Sequence, residues 1–429
     1  MVDKAANPQA EPNSGTARNQ PSWAIPFFTI WTGQAISLLG SQMVQFALIW
    51  WLTKTTGSAT VLATASLVGM LPMVALGPFA GALVDRWNRR KIMLLADSGI
   101  AVVTLLLAYL FYIGWARIWL VYLALFLRAL GGGFHGPAMA ASTSLMVPDQ
   151  HLTRVQGMNQ ILYNGLNIIS APLGALLLEV VAVQGVLAVD VISALFAIIP
   201  LLFTAIPQPS KQVISQKESL VASVWEDFKV GLGYVRRWPG LVILLVMAIF
   251  INMIVSPAFA LLPLLVRDHF GGGALQLGWF NSALGLGAVV GGITLSVWGG
   301  FKKKIHTSLL GLIGVAAGLA VIGLAPGSLI LVGIGGIFLA GMMLPITNGP
   351  IDAVLQSTVD PAMQGRVFTL VGSLAGAMAP LGLAVSGPLS DLISIQIWYI
   401  VGSFVTLGLG IGGLFIPTLI GLEDNRGSA

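Results

Sequence analysis

GALVDRWNRRK, residues 81–91, sets one carboxylate and four cations between two apolar runs at 60–84 and 92–114. Each run is about as long as the roughly 20 residues that a helix needs to cross a bilayer. The surrounding chain of 429 residues is 56% hydrophobic and only 9% charged, and its mean hydropathy is +0.90. Soluble domains carry about 25% charged residues, so this composition is that of a membrane protein. Hydrocarbon offers the backbone no hydrogen-bond partner, which leaves a helix bundle or a closed barrel. The apolar runs are continuous and lack the period-two alternation of barrel strands, so the bundle is predicted.

Outward from this turn the same pattern gives twelve crossings: 25–52, 60–84, 92–114, 117–142, 155–182, 186–206, 240–266, 277–299, 306–324, 328–351, 366–390 and 395–420. Of the 21 cations, only Lys54, Arg117 and Arg267 fall in loops on one side, and Arg128 lies inside a crossing. All the others fall in the tails and the loops of the opposite side, which the positive-inside rule makes cytoplasmic, together with both termini. The predicted domains are a polar tail at 1–22, a six-helix half at 23–206, a cytoplasmic connection at 207–239, a second half at 240–420 and a short tail at 421–429. The connection opens with PQPSKQ. It continues with Val221, Val224, Trp225, Phe228, Leu232 and Val235 at helical spacing, as in an amphipathic helix on the inner membrane surface or a tether between halves.

The halves repeat at an offset of about 212 residues: Arg89–Lys91 matches Lys302–Lys304, Gly136-Pro137 matches Gly349-Pro350, Arg154-Val155 matches Arg366-Val367, and Glu179 matches Asp391. Parallel six-helix repeats are a transporter architecture with the substrate site between the halves. Asp85 maps onto Trp298, so the carboxylate of the opening stretch occurs once.

Several chemistries are excluded. The chain has no cysteine, and its four histidines, His135, His151, His269 and His306, are scattered without metal-ligand spacing. Gly408-x-Gly410-x-x-Gly413 matches a dinucleotide pattern but follows no strand; close helix packing is the expected role, as for Gly77/Gly81 and Gly287/Gly291. No phosphate-binding loop or hydrolase motif occurs, so an enzyme is not expected.

Ionisable groups inside crossings are functional candidates, because a cation at the bilayer centre costs about 3 kcal/mol even on the mildest scale. Arg128 is such a cation, and Asp97 on the third crossing is a candidate partner, although a straight-helix estimate separates them by roughly 10 Å in depth. Asp97 reaching back to Arg89 or Arg90 is the other reading. Asp190 is expected to be buried, with Glu179 either converging on it or sitting among headgroups. Asp352 and Asp391 lie near helix ends and are expected to be interfacial. Polar stripes mark candidate cavity walls: Gln34, Ser37, Ser41 and Gln45 on the first crossing, Gln160, Asn164, Asn167 and Ser170 on the fifth, and Asn252 and Ser256 on the seventh. The same side chains also serve as hydrogen-bonding glue between packed helices.

Gly81, Leu83, Asp85, Arg86, Arg89 and Arg90 fit G-x-L-x-D-R-x-G-R-[RK], with Asn88 at the second glycine, and Arg128 and Gly132 fit R-x-x-q-G. In these motifs, and over essentially its whole length, the chain resembles the major facilitator superfamily (MFS), an all-α fold of two pseudo-symmetric six-helix halves. SAPLGALLL at 170–178 is similar to the superfamily's antiporter motif, with Ala171 and Ala175 at usual glycine positions. IWTGQAISLLGSQMVQF at 30–46, KIMLLADSGIA at 91–101 and FLRALGGGFHGPAMAA at 126–141 resemble bacterial macrolide-efflux transporters. The resemblance implies a proton-driven exporter of amphipathic compounds in a bacterial inner membrane. Such a carrier is a monomer without cofactor or nucleic-acid partner, with protons, small substrates and lipid as its partners. Asp97, Arg128 and Asp190 are then the proton-coupling candidates. The resemblance also implies that Asp85, with Gly81, Arg86, Arg89 and Arg90, latches onto the start of the eleventh helix near Gly365-Arg366. Rival expectations are a carrier for a metabolite, siderophore, lysolipid or nutrient on the same fold, and a non-transporting receptor or scaffold.

Overall fold

The computed structural model describes residues 23–208 and 220–423; the side chains at 74, 77–82, 85–86, 220–225 and 227 lie outside the description. The expectations for the tails at 1–22 and 424–429, and for most of PQPSKQ, therefore fall outside the described residues. Among the described residues there is no strand. Six helices come first: α1 (Ala24–Thr56), α2 (Ala59–Arg86), α3 (Arg89–Tyr112), α4 (Ile118–Met146), α5 (Asp149–Val180) and α6 (Val183–Phe203). Then follow α7 (Leu220–Arg236), α8 (Pro239–Ala260), the single turn α9 (Leu262–Leu264), α10 (Ala274–Trp298), α11 (Lys304–Leu324), α12 (Ile330–Thr358), α13 (Pro361–Leu392), α14 (Ile395–Gly413) and the short α15 (Pro417–Ile420). The twelve expected crossings correspond to α1–α6, α8 and α10–α14. Eleven of these are long and apolar enough to span a membrane, and α2 contributes the apolar stretch Ala59–Met73.

Two predicted crossings end early. The seventh stops at Ala260, after Pro257, and continues through α9 into a π-turn at Leu265–His269. The twelfth stops at Gly413, and Pro417 starts a separate turn. Proline lacks the N–H that a continuing helix needs and clashes with the preceding turn.

Side chains set several boundaries. Ser58 accepts from Val61 N at the start of α2, and Asp360 accepts from Ala362 N at the start of α13. Asn88, which replaces the motif glycine, is extended at φ −69 and ψ 110, and its side chain caps α3 by accepting from Lys91 N. Its tolerance of a left-handed turn is not used; its capping oxygen is.

The first six helices pack together, α1 on α5 and α6, α3 on α4 and α6, and α2 on α4. In the second group α11 packs on α12 and α14, α10 on α12, and α8 on α13 and α14. The Gly287/Gly291 pair acts as predicted: a Cβ at Gly291 would lie 1.9 Å from the Met342 carbonyl oxygen, so only glycine lets α10 approach α12 this closely. Gly410 and Gly413 likewise face side chains of α11, whereas Gly408 faces open space and Gly77 and Gly81 are outside the description. The predicted amphipathic helix forms as α7, but its face at Phe228, Leu232 and Val235 joins a core with Leu241, Val354 and Val367. It docks on α8 and α13, while the side chains of Val221, Val224 and Trp225 lie outside the description.

The groups meet along α2/α13 and α5/α10. Away from the loops bearing Arg89–Lys91 and Lys302–Lys304, the seam is tight. Phe46, Ala171 and Ala175 share one core with Leu262, Val266 and Phe280, and Ser282 Oγ donates to the Ile168 carbonyl at 2.7 Å. Toward the basic loops the seam opens: Gly157 and Gly165 on α5 and Gly365, Gly372 and Gly376 on α13 have no neighbour among the described residues where a Cβ would sit. The fold is closed at one end and open at the basic end.

Candidate functional site

A cavity of about 510 Å³ lies between the groups. Its walls are Gln34, Ser37, Ser41 and Gln45 of α1, Ser66 and Met70 of α2, Asp97 and Ile100 of α3, Arg128 and His135 of α4, and Ser256, Ala260 and Leu383 from the second group. The α1 stripe predicted from sequence lines it. The α5 stripe does not: Gln160, Asn164 and Asn167 are exposed nearer the open end, with Gln160 bonded to Asn164, while Ser170 is buried. Asn252 donates to the Ala248 carbonyl of its own helix, and Ser256, one turn on, takes the place in the wall.

Arg128 does not pair with Asp97. Its Nη1 lies 2.6 Å from Asp190 Oδ2, with both side chains under one-tenth exposed. It also donates to Thr104 Oγ1 and to the Ser41 carbonyl. Asp190 accepts in turn from Ser41 Oγ at 3.0 Å and from Thr104 Oγ1 at 3.3 Å. The reason is depth: Thr104 is two turns along α3 from Asp97, about 10 Å at 1.5 Å per residue, and stands level with Arg128. Helices α1, α3, α4 and α6 are thus tied at one point, and each charge is compensated, as hydrocarbon demands. Gly40 makes room, since a Cβ there would lie 2.2 Å from Ser193 Oγ and 3.1 Å from Asp190 Oδ1. Glu179 is exposed and does not converge on Asp190.

Asp97 has a different environment. Gln34 Nε2 donates to its Oδ2 at 2.8 Å, and His135 Nε2 lies 3.3 Å from its Oδ1. No arginine or lysine stands against it among the described contacts. Arg89 and Arg90 turn elsewhere: Arg89 donates to the Ala141 carbonyl at 2.7 Å, and Arg90 to the carbonyls of Leu201 and Leu202 in the last turn of α6. Arg90 thus serves as a C-cap of α6, with positive charge at the negative end of the dipole. Metal-ligand spacing does not single out His135 in the sequence. Its signal was position: it stands seven residues after Arg128, two turns along the same face of α4.

The side chains of Asp85 and Arg86, expected to form a latch with Gly81, lie outside the description. Arg366 is exposed in the second turn of α13, and the backbone of that turn packs against Gly231 of α7. At the closed end a different carboxylate spans the groups. Asp391, at the end of α13, accepts from Ala59 N at 2.6 Å, Thr60 N at 3.0 Å and Ser58 Oγ at 2.8 Å, thereby capping α2. Beside it, Arg267 Nη1 donates to the Thr53 carbonyl at the end of α1, at 2.6 Å. The α1–α2 turn is therefore held by an anion at its positive helix end and a cation at its negative one.

Residues 30–383 match the family model of the Major Facilitator Superfamily. The chain is 33% identical to macrolide efflux protein A of Streptococcus pyogenes over 390 residues, 91% of this chain and 95% of that one. It is 26% identical to the multidrug efflux pump Tap of Mycolicibacterium fortuitum over 400 residues, 90% and 94% of the two chains. Among solved structures, a bacterial homologue of the human lysosomal transporter Spinster, in an inward-facing and unoccupied conformation, superposes with a TM-score of 0.68 at 13% identity. That likeness covers 96% of this chain and 100% of that one. Two groups of six long helices around a shared cavity, matched by the family model over most of the chain, lead to one conclusion: this is a multi-pass membrane transporter of the Major Facilitator Superfamily, not an enzyme.

Proposed function

We propose that the protein exports amphipathic, cationic drugs of macrolide or multidrug type in exchange for protons. The observation that carries this reading is Asp97: a cavity-lining carboxylate balanced, among the described residues, by an amide and an imidazole, beside an Arg128–Asp190 pair whose charges already cancel. Substrate ammonium and proton exclude one another at Asp97, because each neutralises the same charge. Arg128 and Asp190 hold the four helices that frame the site, and their coupling role is to keep its geometry while the halves move. Ile100, Met70, Leu125 and Leu383 supply apolar wall, while Gln34, Gln45 and Ser37 supply adaptable hydrogen bonding, a combination suited to varied amphiphiles.

The basic end faces the cytoplasm by the positive-inside rule, so the conformation is open inward in a bacterial inner membrane. Alternating access is a rocking of 23–206 against 239–420. The Asp391/Arg267 clamp closes the outer end, and Asp85 closes the inner end against the start of α13 when the halves rock over. Each chain holds a whole cavity, so a monomer suffices, and the proton gradient supplies the energy without a cofactor. The relatives named for macrolide and multidrug efflux favour drugs over a metabolite, siderophore, lysolipid or nutrient.

The test is uptake into proteoliposomes with an acid lumen, using tetraphenylphosphonium, a permanent cation that is not trapped by pH itself, beside a macrolide. Gradient-dependent accumulation that Asp97→Asn abolishes is the expected result. Absence of gradient-driven movement of any amphiphile, with a metabolite moving instead, would transfer the reading to the carrier alternative.

A further inference from the structure

Resting on that exporter reading, we infer that the exchanged proton is carried by His135, with the Asp97 carboxylate as its counter-ion. His135 Nε2 faces Asp97 Oδ1 at 3.3 Å, and both side chains border the cavity. The imidazole is only about one-eighth exposed, and its Nε2 has no hydrogen bond of good geometry in this conformation. A buried nitrogen without such a bond, placed beside a carboxylate, is poised to gain a proton: protonation turns a loose contact into an ion pair.

The charges around it favour this assignment. From α3 the facing group is Asp97 itself; α1 contributes only the Gln34 amide, bonded to the other Asp97 oxygen. On α4, Arg128 stands two turns away and is neutralised by Asp190. On α3, Arg89 is engaged with the Ala141 carbonyl. On α2 the ionisable residues are Asp85 and Arg86, whose side chains lie outside the description; the next residue, Trp87, has its ring 6.4 Å from that of Phe134, beside His135. Among the described residues, the local balance of the Asp97–His135 pair is one negative charge when the imidazole is neutral and zero when it is protonated.

Exchange follows with atoms and charge conserved. The imidazolium Nε2–H of His135 is held by the Asp97 carboxylate. A substrate cation displaces it from that carboxylate, and the proton leaves Nε2 through the open basic end. One cation replaces one proton, and the pair with its occupant is neutral before and after.

The experiment is equilibrium binding of tetraphenylphosphonium to the purified full-length protein from pH 5.5 to 8.5. Wild-type affinity is expected to weaken about tenfold or more from the alkaline to the acid end. His135→Gln, which keeps a polar group of similar size, should bind at all pH values as tightly as wild type does at pH 8.5. That retained binding also shows that the variant is folded. Asp97→Asn should bind weakly throughout, with no pH dependence. If His135→Gln keeps the wild-type pH dependence, the proton sits elsewhere and the inference is overturned while the exporter reading stands. If wild type binds no amphiphilic cation at any pH, both are overturned.

Discussion

Replacing Asp391 with asparagine should release the closed end of the transporter. The Asp391 carboxylate takes two bonds on Oδ2, from Ser58 Oγ and Thr60 N, and one on Oδ1, from Ala59 N. An asparagine oxygen turned to the place of Oδ2 keeps the bonds from Ser58 Oγ and Thr60 N, but its NH₂ then faces the Ala59 N–H, donor against donor. One bond and the charge–dipole attraction at the start of α2 are lost. Asp391 is exposed, so the bond is worth the low end of the ordinary range, about 0.5 kcal/mol, with a similar amount for the dipole. The sum is about 1 kcal/mol, roughly a five-fold shift in the balance of open and closed outer ends. The chain contains no cysteine, so two introduced ones, Thr55→Cys and Leu329→Cys on opposite groups near the closed end, take spin labels without background. Electron–electron resonance distances should show a longer population that is rare with Asp391 present and common in Asp391→Asn. The Arg267 contact to the Thr53 carbonyl survives the change, so the closed population should diminish without vanishing. An unchanged distance distribution would refute the clamp.

Three other outcomes follow from the same geometry. Arg128→Ala strands the buried Asp190 carboxylate and should cost about 3–5 kcal/mol, read as a large fall in thermal unfolding temperature in detergent; Arg128→Ala with Asp190→Asn should recover part of it. Gly40→Ala pushes a methyl group against Ser193 Oγ and should cost about 1–3 kcal/mol by the same assay, with the Arg128–Asp190 pair displaced. Asp85→Asn should abolish transport while leaving expression and thermal stability unchanged, and retained transport would remove the inner latch from the account.

Much of the fold was legible because the bilayer imposes one long apolar helix per crossing, and the distribution of cations singles out one end. Boundaries failed where local chemistry outweighed hydropathy, at Pro257 and Pro263 in the seventh crossing and at Gly413 and Pro417 in the twelfth. In the site, burial made Arg128, Asp190 and Asp97 visible as candidates, but hydropathy does not encode azimuth. Counting depth alone could not show that Arg128 turns to α6 and leaves Asp97 to Gln34 and His135. Asp391 is exposed near a helix end, as expected, but its partner, the start of α2, lies more than 300 residues away in sequence and is not legible there. Because α13 packs along α2, the acid at the end of α13 stands at the start of α2.

The central claim, that substrate and proton exchange at one carboxylate-bearing site, is tested most directly by recording both fluxes at once. Proteoliposomes with an acid lumen and a trapped pH dye are given tetraphenylphosphonium outside. The account predicts substrate uptake accompanied by proton release from the lumen, with both lost in Asp97→Asn and both stopped when nigericin collapses the gradient. Substrate entry without proton release, or uptake at full rate in Asp97→Asn, would contradict it.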